Sequence, residues 1–189
     1  MRPAGFPLLE NGYDGAPFVY LDSASTTPKP REVIAAVARY YETLGANVHR
    51  GLYPLAEAAT EEYERARHRV AALIGAQPAE IVFTRNATDS FNLLARALRL
   101  SPDDEVVFPA SEHHSNYLPW RVMAKPVLVD IDEEAIPKWS QLQQKLGPRT
   151  RLVSVAHVSN VTGAIAPIEE WINSRSAALT DGCSAGVSR

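Results

Sequence analysis

Short apolar runs alternate with amphipathic runs along most of this chain. Runs typical of strands lie at 18–21, 81–84, 105–108, 126–131 and 151–158. Runs with apolar residues at helical spacing lie at about 30–44, 56–74, 87–99, 116–124 and 138–146, and a further helix is expected to start near Pro167. Strands separated by helices of this length indicate βαβ units, so the sequence predicts an α/β fold with a mainly parallel sheet.

Polar clusters follow several of the predicted strands. They cover 84–90, 111–116 and 157–163, and a fourth begins at Asp181 after the short apolar run 177–180. Ligands of parallel α/β sheets bind beyond the carboxyl ends of the strands. We therefore expect these clusters to lie along one edge of the sheet and to form one site.

The first cluster leads from a predicted strand into a predicted helix. The first N–H groups of a helix are unpaired and carry partial positive charge, and Thr88 and Ser90 add hydroxyl groups, so the place suits a phosphate. The alternative is an ordinary helix cap, with Asn86 as the N-cap residue and Asp89 three positions later. Both interpretations stay open at this point.

The other clusters carry groups that can contact a flat heteroaromatic ring. An imidazole of the pair His113–His114 can stack on such a ring, Asn160 can hydrogen-bond a phenolic oxygen, and Asp181 can pair with a protonated ring nitrogen. Each of these residues also has a purely structural interpretation. The two histidines can be solvated loop residues, Asn160 can belong to a turn, and Asp181 can be a loop residue near a terminus. Adjacent histidines rarely chelate one ion, so no metal site is predicted.

Composition narrows the class of protein. The 189 residues are 46% hydrophobic and 22% charged, as in an ordinary globular protein with a real core. A net charge of −3 argues against nucleic acid or an anionic membrane as partner, and no apolar run is long enough to span a bilayer. The single cysteine, Cys183, excludes an internal disulfide and fits a reducing, cytoplasmic setting.

Five segments, in order along the chain, carry a family likeness. They are Tyr20–Thr26, Asn47–Gly51, Phe83–Thr88, Glu112–Asn116 with Pro119 and Trp120, and His157–Gly163. This set, over about residues 18–168, resembles the cysteine desulfurases and selenocysteine lyases of the class V aminotransferase family. The resemblance implies the large domain of a fold-type I pyridoxal-phosphate-dependent transferase, with a mainly parallel sheet and flanking helices, in enzymes that work as dimers.

The resemblance also implies a cofactor, pyridoxal 5′-phosphate, and the residues that hold it. It assigns Ala87 and Thr88 to the cofactor phosphate, His113 to the pyridine ring, Asn160 to the ring hydroxyl and Asp181 to the ring nitrogen. His49 and Arg50 match a loop on the substrate side that can serve the neighbouring subunit. The family reaction removes sulfur or selenium from cysteine or selenocysteine and leaves alanine.

The likeness weakens after residue 168. The family's Asp-Gly-Ala-Gln reads Asp181-Gly182-Cys183-Ser184 here, so the cofactor-contacting glutamine is missing and Cys183 stands at the alanine position. The Schiff-base lysine in a Ser-x-His-Lys context, the sulfur-accepting cysteine and the substrate-carboxylate arginine have no counterpart. We therefore predict an arm at 1–17, a truncated cofactor domain at 18–189 with a divergent tail at 169–189, no catalytic residue, and inactivity of the chain alone.

Several alternatives stay open at the level of the sequence. The substrate of the intact family member is cysteine, selenocysteine or another amino acid. A second alternative is a non-catalytic cofactor-binding or dimerisation partner derived from this fold. A third is a generic phosphate-binding domain, which the matches at His113 and Asn160 disfavour. Without the family's later strands, strand 151–158 is expected close to an open sheet edge, so a homodimer or a partner supplying the missing half is predicted.

Overall fold

The structure, a computed structural model, describes residues 5–10, 12, 14–16, 18–175 and 184–188. The chain forms two compact units that divide between Phe83 and Thr84. We call residues 1–83 the N-terminal unit and residues 84–189 the C-terminal unit. The predicted arm at 1–17 and cofactor domain at 18–189 stay predictions, although a short helix, α1 (Pro7–Glu10), lies within the arm.

The N-terminal unit is helical. Helix α2 (Arg31–Arg39) continues into a π-helical turn (Tyr40–Leu44), and α3 (Pro54–Ile74) is followed by a 3-10 turn (Pro78–Glu80). Helix α3 begins at Pro54. Proline suits the first turn of a helix because a backbone N–H at that position would have no partner within the helix, so its absence costs nothing. Gly75 ends α3 with a φ of 70°, a left-handed conformation that glycine adopts without steric cost.

Two of the predicted strands are not strands. Segments 18–21 and 81–84 have no regular secondary structure, and neither pairs with a strand in the part of the chain that the structure describes. Leu21 is 90% exposed and Val82 67% exposed, whereas a paired strand of this composition buries at least one face. An apolar run therefore indicates extended backbone here, but it does not reveal whether a partner strand exists.

The C-terminal unit contains the sheet. Its elements are α4 (Ala87–Ala97), β1 (Glu105–Pro109), a 3-10 turn (His114–Asn116), α5 (Leu118–Met123), β2 (Lys125–Val129), α6 (Trp139–Lys145), β3 (Thr150–Ala156), α7 (Ile168–Arg175) and β4 (Ser184–Ser188). The four strands are parallel, in the order β2-β1-β3-β4. The predicted α/β class and parallel sheet are confirmed.

One strand at the end of the described sheet is missing from the sequence prediction. The apolar pattern does not predict strand β4, because Ser184–Ser188 carries small and polar residues in place of an apolar run. Strand β3 pairs with β1 on one side and with β4 on the other, so it lies directly beside the edge strand of the described sheet, close to the edge as the sequence predicts.

Alternating side chains build a core on each face of the sheet. Val106, Phe108 and Leu152 pack with Ala95 of α4 and Trp120 of α5. Their sequence neighbours Val107, Val153 and Val155 pack on the other face with Leu142 of α6 and with Ile168 and Trp171 of α7. Successive strand residues point to opposite faces, so two helical layers enclose the sheet.

The order of the strands creates a switch point between β1 and β3. The chain passes from β1 to β2 on one side, and then crosses to β3 on the other side of β1. The loops that leave the carboxyl ends of β1 and β3 therefore diverge. Open α/β sheets bind their ligands in the crevice at such a point. Two of the predicted polar clusters, 111–116 and 157–163, follow these two strand ends.

Candidate functional site

Helix α4 begins with an Asn cap, which satisfies one of the first N–H groups of the helix. Asn86 is the N-cap residue, and its Oδ1 accepts from the Asp89 N–H at 2.9 Å. The Ser90 N–H donates to the Asn86 carbonyl at 3.1 Å. The N–H groups of Ala87 and Thr88 have no acceptor within the described residues. The predicted cap is confirmed, and the groups expected to receive a phosphate remain available.

The two hydroxyl groups proposed for a phosphate differ in their surroundings. The Ser90 Oγ lies 2.7 Å from the Thr84 Oγ1 and 3.2 Å from the Asn86 carbonyl oxygen, so it is engaged within the turn. The Thr88 hydroxyl has no such partner among the described residues. Thr88 is therefore the better placed donor for an anion.

His113 caps the 3-10 turn that follows β1. Its Nδ1 accepts from the Ser115 backbone N–H at 3.1 Å and lies 2.8 Å from the Ser115 Oγ. A backbone N–H can only donate, so Nδ1 is unprotonated and the neutral ring carries its proton on Nε2. The ring is exposed and is held by its own turn. It presents a flat, fixed surface beside the strand ends.

A partly buried hydrogen-bond network joins this turn to β3 and α5. The Asn116 Oδ1 accepts from the Trp120 Nε1 at 2.9 Å and from the Ser154 Oγ at 2.5 Å, while its Nδ2 donates to the Glu112 Oε2 at 2.7 Å. The other oxygen of Glu112 accepts from the Ala156 N–H at 2.6 Å. No buried side-chain polar atom of the described residues lacks a partner. The network is therefore fully satisfied.

Burial shifts the protonation of Glu112. Loss of water around the carboxyl raises its pKa above the ordinary value, while the N–H donors of Ala156 and Asn116 and the neighbouring His113 oppose the rise. Glu112 is therefore the one carboxyl among the described residues whose pKa is clearly raised. A carboxyl with a raised pKa beside a site residue marks a place of functional interest.

Two cavities place His113 between the other candidate residues. The larger, about 520 Å³, is lined by Thr88 and His113 together with Asn92, Arg96 and Leu118. Small-molecule sites have volumes of about 300–1,000 Å³. A smaller cleft is lined by His113, Glu112 and Asn160. The structure thus brings Thr88, His113 and Asn160 to one end of the sheet, with Ala87 next to Thr88.

The turn that carries Asn160 connects β3 to α7. The Ser159 hydroxyl oxygen accepts from the backbone N–H groups of Val161 and Thr162, and Gly163 has a φ of 74° that few residues other than glycine adopt. Asn160 itself is exposed. Its amide is available at the mouth of the smaller cleft.

His49 lies in the N-terminal unit, where its ring is fixed. Its Nε2 donates to the Glu64 Oε1 at 2.8 Å, and its ring meets Tyr63 edge-on with centroids 5.4 Å apart. The hydrogen bond from His49, with further help from Arg67, holds the pKa of Glu64 below its ordinary value. His49 has a φ of 67°, which is uncommon outside glycine. Arg50 follows it in an exposed turn.

The remaining predicted residue lies outside the described residues. Asp181 and the neighbouring Cys183 fall within 176–183, about which nothing is described. Strand β4 begins at Ser184, three positions after Asp181. The assignment of Asp181 to a ring nitrogen therefore stays a prediction.

Sequence reasoning misses the Glu112 network and some of the residues that line the larger cavity, among them Asn92 and Arg96. Glu112, Asn116 and Trp120 belong to recognised motifs, but the motifs assign no role to them. Ser154 is a polar residue inside a valine-rich strand, which is a usable signal for a buried partner. Asn92 and Arg96 follow Thr88 at helical spacing, so they lie on its side of α4.

The described residues lack two further features. They contain no group of three or more His, Cys, Asp or Glu side chains that could hold a metal ion. No helix among them is long and apolar enough to cross a membrane.

The chain belongs to the class V aminotransferase family, whose family model matches residues 19–189. Within that family it is similar to proteins named as cysteine desulfurases. A probable cysteine desulfurase of Synechocystis sp. is 41% identical over 174 residues, which are 87% of this chain and 41% of that relative. One of Vibrio cholerae is 41% identical over 178 residues, which are 89% of this chain and 44% of that relative.

Solved structures agree with the sequence relatives. The apo cysteine desulfurase of Thermococcus onnurineus matches with a TM-score of 0.80 and 35% identity, over 89% of this chain and 43% of that protein. A cysteine desulfurase of Escherichia coli matches with a TM-score of 0.78 and 34% identity, over 97% of this chain and 46% of that protein. The predicted resemblance and the fold-type I fold are confirmed. The chain spans less than half the length of these relatives.

The family depends on pyridoxal 5′-phosphate, and the residues present fit that group. The N–H groups of Ala87 and Thr88 and the Thr88 hydroxyl at the start of α4 can take a phosphate, and a histidine with a fixed tautomer lines the same cavity. The Asn160 amide opens on the adjoining cleft. Donors for the phosphate and a flat partner for the ring therefore occur together.

Proposed function

We propose that this chain provides the cofactor-binding part of a cysteine-desulfurase-type protein and holds pyridoxal 5′-phosphate without a covalent bond. One observation carries the proposal: Thr88, at the start of α4, and His113 line the same cavity. In this proposal Ala87 and Thr88 bind the phosphate and His113 stacks on the ring. Asn160 and Asp181 contact the ring oxygen and nitrogen. When bound, the cofactor supplies an electron sink.

The proposal is tested by titrating the full chain with pyridoxal 5′-phosphate and following absorbance and protein fluorescence. Thr88→Val removes one hydrogen bond to a charged group and is expected to raise Kd by about tenfold. His113→Ala removes the stacking surface and is expected to have a similar effect, about tenfold. His68→Ala, an exposed histidine on α3, serves as the matched control. Binding that is indifferent to Thr88 and His113 contradicts the proposal.

The absence of a covalent link is tested separately. The four lysines of this sequence are Lys29, Lys125, Lys138 and Lys145, and none stands in a Ser-x-His-Lys context. Borohydride reduction of the loaded protein, followed by peptide mass mapping, is expected to leave all of them unmodified. A stoichiometric adduct on one lysine overturns this part of the proposal.

The family reaction removes sulfur from cysteine, and we propose that this chain does not complete it alone. The sequence holds one cysteine, Cys183, in a context that differs from the family's nucleophile. Incubation with cysteine and added cofactor is expected to release neither sulfide nor alanine. Turnover that disappears in Cys183→Ser would establish Cys183 as a nucleophile and end this part of the proposal. The single cysteine also supports a cytoplasmic setting.

A second role, association with another copy or with a partner, is favoured by exposed apolar side chains on α2. Val33, Ile34 and Val37 are 44%, 49% and 52% exposed. We propose that this face is covered by protein when the site is complete, and that His49 and Arg50 act on the substrate side. Light scattering over a concentration series tests association, and a monomer at every concentration contradicts it.

A further inference from the structure

Glu112 stands immediately before His113, and its side chain ties the His113 turn to the sheet. One carboxylate oxygen accepts from the Ala156 N–H at the end of β3, at 2.6 Å. The other accepts from the Asn116 side chain at the end of the 3-10 turn, at 2.7 Å. The residue that precedes His113 is therefore bonded to a strand on one side and to the far end of the turn on the other.

The hydrogen bonds of this network have one possible direction. The Trp120 indole N–H can only donate, so the Asn116 amide oxygen must face it, and the Asn116 NH₂ must face Glu112. The Glu112 carboxylate must therefore accept from the Asn116 NH₂, since a donor at that position would leave two donors facing each other. Asn116 is 2% exposed, so water cannot replace a lost partner. The residue at 112 must therefore present an acceptor to each of its two neighbours.

His113 is held between the two ends of this arrangement. The Asn116 N–H donates to the His113 carbonyl at 2.8 Å, and the Glu112 N–H donates to the Pro109 carbonyl at 3.2 Å. The ring is fixed by the Ser115 N–H on Nδ1. A shift of Glu112 or Asn116 therefore moves the backbone on both sides of His113 and the donor that sets its tautomer.

We propose that Glu112 is a positioning residue that sets the orientation and the tautomer of the His113 ring through Asn116. The inference rests on the proposed function for its purpose, because it assigns His113 to the cofactor ring. Packing alone does not require a carboxylate here, because an apolar side chain could fill this position. A carboxylate at this position loses contact with water, which is the loss that raises the pKa of Glu112. The two acceptor oxygens are the property that the turn uses.

A reciprocal exchange of acid and amide tests this directly. Glu112→Gln places an NH₂ against the Asn116 NH₂ or the Ala156 N–H, and Asn116→Asp places a carboxylate against the Glu112 carboxylate. The double variant Glu112→Gln, Asn116→Asp restores every hydrogen bond, because the new amide donates to the new carboxylate while its oxygen still accepts from Ala156. Glu133→Gln, an exposed glutamate in the turn after β2, is the matched control.

The first readout is the ¹⁵N spectrum of the His113 imidazole in the full chain without cofactor. The wild type is expected to show an unprotonated Nδ1 and a protonated Nε2. Each single variant is expected to show a mixture of tautomers, and the double variant is expected to return to the wild-type pattern. A residue with a merely structural role would lower stability without moving this pattern.

The second readout is the Kd for pyridoxal 5′-phosphate. Each single variant is expected to raise Kd by about tenfold, the cost of one network hydrogen bond to a charged group. The double variant is expected to bind within about twofold of the wild type, because contacting residues couple. Glu133→Gln is expected to match the wild type. Where a single variant unfolds, the folded double variant decides: the wild-type tautomer and Kd support the inference, and a mixture of tautomers ends it.

The inference and the proposed function fail in different ways. Wild-type binding that does not depend on Thr88 or His113 ends the proposed function, while the tautomer measured without cofactor still decides the role of Glu112. Single variants that keep the wild-type tautomer and Kd end the inference, while binding at Thr88 and His113 stands. A double variant no closer to the wild type than the single variants also ends the inference.

Discussion

The two units of this molecule bury apolar surface to very different degrees. In the C-terminal unit Val106, Val107 and Phe108 are fully buried in one strand. In the N-terminal unit, among the residues that the structure describes, the buried hydrophobic side chains are Ala56, Ala59, Ala71 and Ile81. Three of these four are alanines, which bury little area.

This difference shows where the fold derives its stability. Burial of apolar area is the main favourable contribution to folding, at about 25 cal/mol per Å². The C-terminal unit has large side chains on both faces of a sheet, whereas the N-terminal unit leaves Leu52 99% and Leu73 85% exposed. We infer that the sheet supports the candidate site by itself, while the helices at 31–74 depend more on what covers them.

The largest expected effect comes from the sheet core. Phe108→Ala removes a fully buried aromatic ring from the core formed with Trp120 and is expected to lower the free energy of unfolding by about 3–5 kcal/mol. Val37→Ala on the exposed face of α2 is expected to change it by less than about 0.5 kcal/mol. Urea denaturation measures both. Equal losses would show that the two units do not differ as the burial indicates.

A smaller effect is expected at the start of α4. Asn86→Ala removes the side-chain acceptor of the Asp89 N–H and is expected to cost about 1 kcal/mol of unfolding free energy. Asn47→Ala, at an exposed asparagine of the N-terminal unit with no side-chain partner among the described residues, is the control. The same denaturation experiment applies, and a loss at Asn47 as large as that at Asn86 contradicts the cap.

The smallest effects are expected from pH, with opposite signs in the two units. The pKa of Glu64 is lowered by its hydrogen bond from His49, so its stabilising contribution is present above the unfolded pKa and is lost as pH falls through the folded pKa. The pKa of Glu112 is raised by burial, so its contribution is present below the unfolded pKa and is lost as pH rises through the folded pKa.

The measurement is the difference in unfolding free energy between the wild type and each Gln variant as a function of pH. For Glu64→Gln the advantage of the wild type is expected to shrink on acidification from neutral pH. For Glu112→Gln the advantage of the wild type is expected to grow as the pH falls through the acidic range. Slopes of the same sign would remove the contrast between the lowered pKa of Glu64 and the raised pKa of Glu112.

Much of the fold follows from patterns local in sequence. The runs that form β1, β2 and β3 contain consecutive apolar residues, and Pro54 and Gly75 mark the ends of α3. The strand predicted at 81–84 is absent because pairing depends on a neighbour that an apolar run does not specify. Strand β4 escapes prediction because Ser184–Ser188 has a ladder partner in β3 but no apolar pattern.

The candidate site also has one part that local sequence predicts and another part that it does not. Asn86 as a cap, and Thr88 beside it, could be predicted because a helix start depends on a few adjacent residues. The bond from Ala156 to Glu112 joins residues 44 apart in sequence, and that from Ser154 to Asn116 joins residues 38 apart. No periodicity links such positions, so the network emerges only when β1 and β3 are seen side by side.

The placement of the aromatic residues has an optical consequence. All three tryptophans, Trp120, Trp139 and Trp171, belong to the C-terminal unit, whereas six of the seven tyrosines precede Phe83. Trp139 and Trp171 stack with centroids 5.7 Å apart and planes 8° from parallel, while Trp120 bonds to the Asn116 amide under the His113 turn. Tryptophan fluorescence therefore reports on the C-terminal unit. Trp120 reports on the face of the sheet that lies towards the His113 turn, and the stacked pair Trp139 and Trp171 reports on the other face.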